Sequence, residues 1–240
     1  MRTLVVVILT AVAPLFPVLA SAQTPRPAVA AAAVMAEQGR PAPSASSRPP
    51  RLSNRLQIRA FGVVSSTWFT ASNTFDAVLG SGRGQDFGGG LNLTQGPGYI
   101  EIGARRFSKT GERVFVGQDR QVFPLGIDTT VTMTPLDVTA GWRFRPRFGR
   151  VIPHLGVGYT RLKYEETSDF ADAGENVSAS FNGYHVVGGA EVRVARWVGL
   201  TAEVMWTSVP DGLGKGGAAK AFDEKNLGGP SLRVKLVIGR

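Results

Sequence analysis

The sequence predicts an all-β protein, an eight-stranded antiparallel up-and-down transmembrane β-barrel with a polar lumen. Three observations predict it. From Leu56 onward, apolar and polar residues alternate with a period of two, as in a strand whose successive side chains face opposite ways. Eight such runs are joined by connections that alternate long and short, which gathers the long loops at one end. In most runs one face is nearly free of charge while the other carries acids and bases together.

The 240-residue chain divides into three parts. Met1-Arg2-Thr3 is a short positive segment, Leu4 to Leu19 is almost wholly apolar, and Ala20-Ser21-Ala22 is a small-x-small site before Gln23. These are the parts of a secretory signal peptide over 1–22. Pro14 and Pro17 would each remove a backbone hydrogen bond from a spanning helix. Residues 23–55 are rich in Pro, Ala, Ser and Arg and read as a disordered linker, with Ala28 to Gln38 compatible with a short helix. The barrel domain is expected over 56–240.

The formal charge of +9 raises the question of nucleic acid. Its distribution answers it. Arg26, Arg40, Arg48, Arg51 and Arg55 sit in the linker, and 56–240 carries only +4, spread in both signs with no basic stripe among aromatics. No nucleic-acid partner is expected. The chain has no cysteine, which excludes disulfides, thiolate metal sites and cysteine nucleophiles.

The strands follow in order. In the first, Leu56, Ile58, Ala60, Gly62 and Val64 oppose Gln57, Arg59, Phe61, Val63 and Ser65. In the second, Phe87, Leu91 and Leu93 oppose Gly88, Gly90, Asn92 and Thr94. In the third, Ile100, Ile102 and Ala104 oppose Glu101, Gly103 and Arg105. In the fourth, Leu136, Val138, Ala140, Trp142 and Phe144 oppose Asp137, Thr139, Gly141 and Arg143. In the fifth, Pro153, Leu155, Val157 and Tyr159 oppose His154, Gly156, Gly158 and Thr160. In the sixth, Tyr184, Val186, Ala190 and Val192 oppose His185, Val187, Glu191 and Arg193. In the seventh, Val198, Leu200, Ala202, Val204 and Trp206 oppose Gly199, Thr201, Glu203 and Met205. In the last, Leu232, Val234, Leu236 and Ile238 oppose Arg233 and Lys235. Long loops are expected over 71–86, 107–128, 166–180 and 209–229, and short turns over 95–98, 145–150 and 195–197. Within 107–128, Glu112 to Gly117 and Gln121 to Leu125 are strand-prone, so a hairpin should extend strands three and four beyond the membrane.

Eight antiparallel strands also build soluble, lipocalin-like ligand-binding barrels, and alternation alone does not say which face is inside. Three features favour the membrane form. One face is too clean of charge for a surface in water, whereas an Arg or Lys at the bilayer midplane costs about 2–4 kcal/mol. The opposite face carries Arg59, Glu101, Arg105, Asp137, Arg143, Glu191, Arg193, Glu203, Arg233 and Lys235, a set able to pair as a structural charge network in the lumen. Glycines on that face should leave room for the long arginines. Finally, Trp68, Trp142, Trp197 and Trp206 lie near strand ends, as aromatic belts require. Tyr99 and Phe144 should join Trp142 and Trp197 at the turn end, and Phe107 should join Trp68 and Trp206 at the loop end, although Tyr99, Phe107 and Trp197 fall on the polar parity.

With this layout, and stretches such as GYHVVGGAEVRVARWVGLTAEV (183–204) and SLRVKLVIGR (231–240), the chain resembles the small outer-membrane β-barrel proteins of Gram-negative bacteria, the OmpA/OmpX-like porin-family barrels. The resemblance covers 56–240. It implies a place in the cell outer membrane after export, with outer-membrane lipids, lipopolysaccharide and the barrel-insertion machinery as partners. In that group the last strand usually ends in an aromatic residue, whereas this sequence ends Ile238-Gly239-Arg240.

Some barrels of that size are lipid A deacylases or acyltransferases, which need a His–Ser dyad. His154 is followed by Leu155-Gly156 and His185 by Val186-Val187, so the His-x-Ser spacing is missing and both histidines are expected in the lumen network. Gly80-Ser81-Gly82-Arg83-Gly84 lacks the Lys-Ser/Thr of a phosphate loop and reads as surface. Gly88-Gly89-Gly90 reads as a site of curvature or close packing. Asp169, Asp172, Glu175 and Asp211 read as solvated loop charge rather than a cation site. The expectation is a monomeric, non-enzymatic barrel with no cofactor and no metal, serving structure, adhesion or surface interaction. The alternatives are a narrow pore for ions or small solutes and a soluble ligand-binding barrel.

Overall fold

The computed structural model describes residues 54–117, 119–144, 150–168, 176–213 and 217–239. The signal segment, nearly all of the linker, the 145–149 part of one turn and the loop acids Asp169, Asp172 and Glu175 lie outside the described residues.

Backbone hydrogen bonding closes the strands into a ring. The strands are β1 (Gln57–Trp68), β2 (Arg83–Gln95), β3 (Gly98–Val116), β4 (Val122–Arg143), β5 (Val151–Ser168), β6 (Val177–Arg193), β7 (Val198–Ser208) and β8 (Gly229–Gly239). Each pairs antiparallel with its sequence neighbour, and β8 returns to β1 from Arg59↔Gly239 to Thr67↔Ser231. Closure leaves no free sheet edge where the eight strands overlap.

The alternation in the sequence becomes an inside and an outside. Val64, Leu91, Ile100, Val138, Val157, Val186, Val204, Leu232, Val234 and Leu236 are exposed on the outer wall. Arg59, Glu101, Asp137, Glu191, Glu203 and Lys235 are buried within. A soluble barrel would show the reverse. Along β5 the outward positions carry no charge from Val151 to Tyr159, and Arg161 is the first beyond them. That is about the 9–11 residues a tilted strand needs to cross the hydrocarbon. The fold is thus a transmembrane β-barrel.

Above that band the strands continue. β3 and β4 run on as a hairpin to Val116↔Val122, with one register shift between Glu112 and Val114. Its tip is closed by Gly117 N–H to Gln121 O at 2.9 Å and Arg120 N–H to Gly117 O at 3.0 Å. The outer face changes there from aliphatic to hydroxyl, with Ser108 against Thr132 at 3.1 Å and Thr110 against Thr130 at 2.8 Å. The extended hairpin expected from 107–128 is present.

Three loops differ from expectation. The 166–180 loop is much shorter, because β5 continues to Ser168 and β6 begins at Val177, paired through Glu166↔Val177. Above the membrane the alternation reverses, with Leu162, Tyr164, Ala179 and Phe181 on the inner side and Arg161, Lys163, Ser180 and Asn182 exposed, so the ladder persists with its apolar face turned inward. The 71–86 loop holds the helix α1 (Ser72–Leu79), and β2 starts at Arg83. The 209–229 loop holds the short helix α2 (Gly217–Ala221).

The outer wall gives a direct prediction. Val157, 59% exposed between Ala140 and Val186, should cost about 2–4 kcal/mol when replaced by Arg, measured by equilibrium unfolding in phospholipid vesicles. Thr132→Arg, above the band, should stay within about 0.5 kcal/mol.

Candidate functional site

The lumen is filled by a charge network built from every strand of the barrel. Arg59 of β1 donates from Nη1 to both oxygens of Glu191 on β6, at 2.7 and 2.9 Å, and from Nη2 to Asn92 Oδ1 at 3.0 Å. Asn92 Nδ2 passes the chain to Glu101 Oε2 at 3.1 Å. Lys235 of β8 then bridges Glu101 at 2.5 Å and Glu203 at 2.8 Å. His154 Nε2 lies 3.1 Å from Glu203. Arg233 lies between the same two acids, at 3.6 Å from Glu101 and 3.5 Å from Glu203. Arg143 of β4 adds a second cation to Glu191, at 3.6 Å.

A second cluster sits nearer the loop end. Arg105 joins Asp86 at 3.1 Å and Asp137 at 3.0 Å. Ser65 donates to Asp86 at 2.5 Å. Thr160 donates to Asp137 at 2.7 Å, and the ring nitrogens of His185 lie 2.8 Å from the hydroxyls of Thr160 and Thr139. Five bases (Arg59, Arg105, Arg143, Arg233, Lys235) and five acids (Asp86, Glu101, Asp137, Glu191, Glu203) are all buried. With neutral histidines the set is electrically balanced. A buried charge is tolerated only when it is paired and hydrogen-bonded.

Little space remains between these groups. The cavity beside Glu101, Glu203 and Lys235 measures about 20 Å³, room for about one water. The glycines of the inner face receive rings and acids rather than arginines. A methyl at Gly141 would overlap the Tyr99 ring, one at Gly156 the Tyr99 hydroxyl, and one at Gly158 the His185 ring.

Above Arg105 the inner face turns apolar. Phe107, Val131, Met133, Leu162 and Val209 occupy the inward positions there, and α1 lowers Phe75 and Leu79 onto them. Phe69 stacks on Phe75 at 4.2 Å and meets Phe107 edge-on at 5.6 Å. The N-cap position of α1, Ala71, offers no side-chain acceptor. Glu224, beyond α2, supplies one, accepting from the N–H groups of Asn73 at 3.1 Å and Thr74 at 2.8 Å. A carboxylate at a helix N-terminus satisfies orphan donors and favours the dipole.

Nine of the ten residues expected in the network are brought together. Arg193 departs: its side chain is 35% exposed at the turn end, 4.0 Å from Glu191, because the strand ends there and the lumen opens to solvent. Trp68, Trp142, Trp197 and Trp206 are all exposed near strand ends, Trp68 beneath Arg83 at 4.9 Å. Phe144 is exposed as well, but Tyr99 and Phe107 are not. Both follow their polar parity into the barrel, Tyr99 edge-on to His154 at 5.9 Å and Phe107 into the apolar layer. Asp86, Ser65, Asn92 and Thr160 are network members that the alternation of charges does not reveal. Asp86 falls at the end of a stretch read as loop, yet its inward parity with Gly88 and Gly90 is readable.

No protein-family model matches the sequence, and no curated protein matches it. Among solved structures, Neisserial surface protein A superposes with a TM-score of 0.50 at 14% identity, covering 76% of this chain and 96% of that one. The chain has the fold of an outer-membrane β-barrel. The N-terminal β-barrel domain of Pseudomonas aeruginosa OprF also matches, with a TM-score of 0.44 at 10% identity over 79% of this chain and 100% of that one. Ail, the attachment invasion locus protein of Yersinia pestis, matches with a TM-score of 0.40 at 10% identity, over 77% of this chain and 94% of that one.

Three outcomes follow for the charge network and for α1. Glu203→Leu leaves Glu101 alone to face both Lys235 and Arg233 and should destabilise by about 3–5 kcal/mol. Adding Lys235→Met should recover part of that loss, read as a coupling energy in a double-mutant cycle. Glu224→Ala should cost about 1 kcal/mol and speed amide exchange in α1 while leaving the β-strands protected.

Proposed function

We propose that this chain is an outer-membrane barrel with a closed lumen, serving structure, adhesion or surface interaction without catalysis. The observation that carries this reading is the filled interior: a neutral ion-pair network sealed on the loop side by an apolar layer and α1. Hydrated ions would have to part buried salt bridges and then cross that layer. The apolar outer wall and the export signal expected over 1–22 support the outer membrane as its location. On this reading its immediate partners are outer-membrane lipids, lipopolysaccharide and the insertion machinery, and the closed ring suits a monomer.

The histidines support the non-catalytic part. His185 has both ring nitrogens at threonine hydroxyls and His154 is held by Glu203. Both sit in the filled lumen, where a substrate has no entry. The β3–β4 hairpin and the upper parts of β5 and β6 stand above the apolar band and form the surface such a role would use.

Two measurements test the reading. The protein should fractionate with the outer membrane and show heat-modifiable gel mobility. In a planar bilayer it should show no steady open level. A large, steady single-channel conductance would overturn the closed-lumen reading in favour of a pore.

A further inference from the structure

Above the apolar layer lies a separate cavity of about 450 Å³, within the roughly 300–1,000 Å³ of small-molecule sites. It is lined by residues of α1, β3, β4, β5, β6 and the β7–β8 connection. Its wall is mainly aliphatic, with Val78, Leu79, Val131, Ala179, Leu213 and Ala218. Phe75 and Phe181 are the rings among its apolar wall residues. The ionisable lining groups are Arg113, Glu166, Asp211 and the phenol of Tyr164, which donates to Glu166 at 3.1 Å.

We propose that this cavity is a binding site for an uncharged molecule bearing an acyl or alkyl chain. Volume and wall fix the apolar part. An apolar cavity of this kind gives water few partners and gains by filling with hydrocarbon. An aliphatic wall suits a flexible chain better than a stacked ring. Charge fixes the head. Two carboxylates against one guanidinium leave the lining with a formal charge of −1, which disfavours an anionic head group. The site is distinct from the lumen, because Phe69, Phe107 and Met133 lie in the apolar layer between them, so the proposal stands whether or not the barrel conducts.

The test uses the full chain in phospholipid nanodiscs, with labelled Val, Leu and Ala methyl groups and 1-decanol as the probe, compared with decanoate. Decanol should shift the methyl resonances of Val131 and Leu213 saturably, while Val157 on the lipid face shows only the linear response of membrane partitioning. Decanoate should bind at least tenfold more weakly. Ala179→Trp, which fills the cavity, should abolish the saturable shifts. Asp211→Asn should narrow the gap between the two probes, and asparagine tolerates the left-handed φ of 57° found there. Shifts at Val131 and Leu213 that never saturate, or decanoate binding as tight as decanol, would overturn the proposal. So would unchanged binding in a folded Ala179→Trp variant. If that variant fails to fold, the comparison of the two probes in the wild type and in Asp211→Asn decides.

Discussion

Ten charged side chains can be buried inside a barrel only if they neutralise one another at close range. Here Glu101, Glu203 and Lys235 form the centre of such an arrangement, with contacts of 2.5 and 2.8 Å. Every strand contributes an inward polar group to the two clusters, so ring closure and charge pairing depend on each other. A register slip of one residue would carry a whole set of charges to the outer wall. The network therefore fixes strand register as well as filling the lumen. The same arrangement frees the outer wall to be almost entirely apolar, which is what lipid demands.

The two ends of the barrel solve different problems. At the turn end the lumen opens beside Arg193, which meets solvent. At the loop end the inward positions become apolar at Phe107, Met133 and Leu162, and α1 closes them. Glu224 ties the β7–β8 connection to the start of that helix. The result is two compartments of opposite chemistry, a charged interior with almost no free volume and an apolar chamber above it.

Much of this was legible in the sequence. Period-two alternation located all eight strands, their faces and nearly all of the charge network, because each inward charge sits among outward aliphatics. The extended β3–β4 hairpin was readable from the strand-prone runs around Gly117. What failed did so for physical reasons. Tyr99 and Phe107 obey parity, and assigning them to belts gave their aromatic character more weight than their position. Asp86 was hidden because β2 begins in a glycine-rich, polar stretch. The helices α1 and α2 are short and draw stability from tertiary contacts, namely the apolar layer and Glu224, which local sequence does not encode. Above the membrane the alternation of β5 and β6 reverses, with Leu162 and Phe181 packed inside and Lys163 and Asn182 exposed, so the strand ladder outlasts the apolar-outward signal.

The central claim is that the charged face is the inside and the apolar face meets lipid. The absence of cysteine makes single nitroxide labels along β5 a clean measurement. Labels at 153, 155, 157 and 159 should be accessible to oxygen in the bilayer and shielded from a water-soluble paramagnetic reagent. Labels at 154 and 160 should be immobilised and shielded from both, and 156 and 158 stay unlabelled because even a methyl there would overlap Tyr99 or His185. The opposite alternation, with 155 and 157 buried and 154 and 160 in lipid or water, would contradict it.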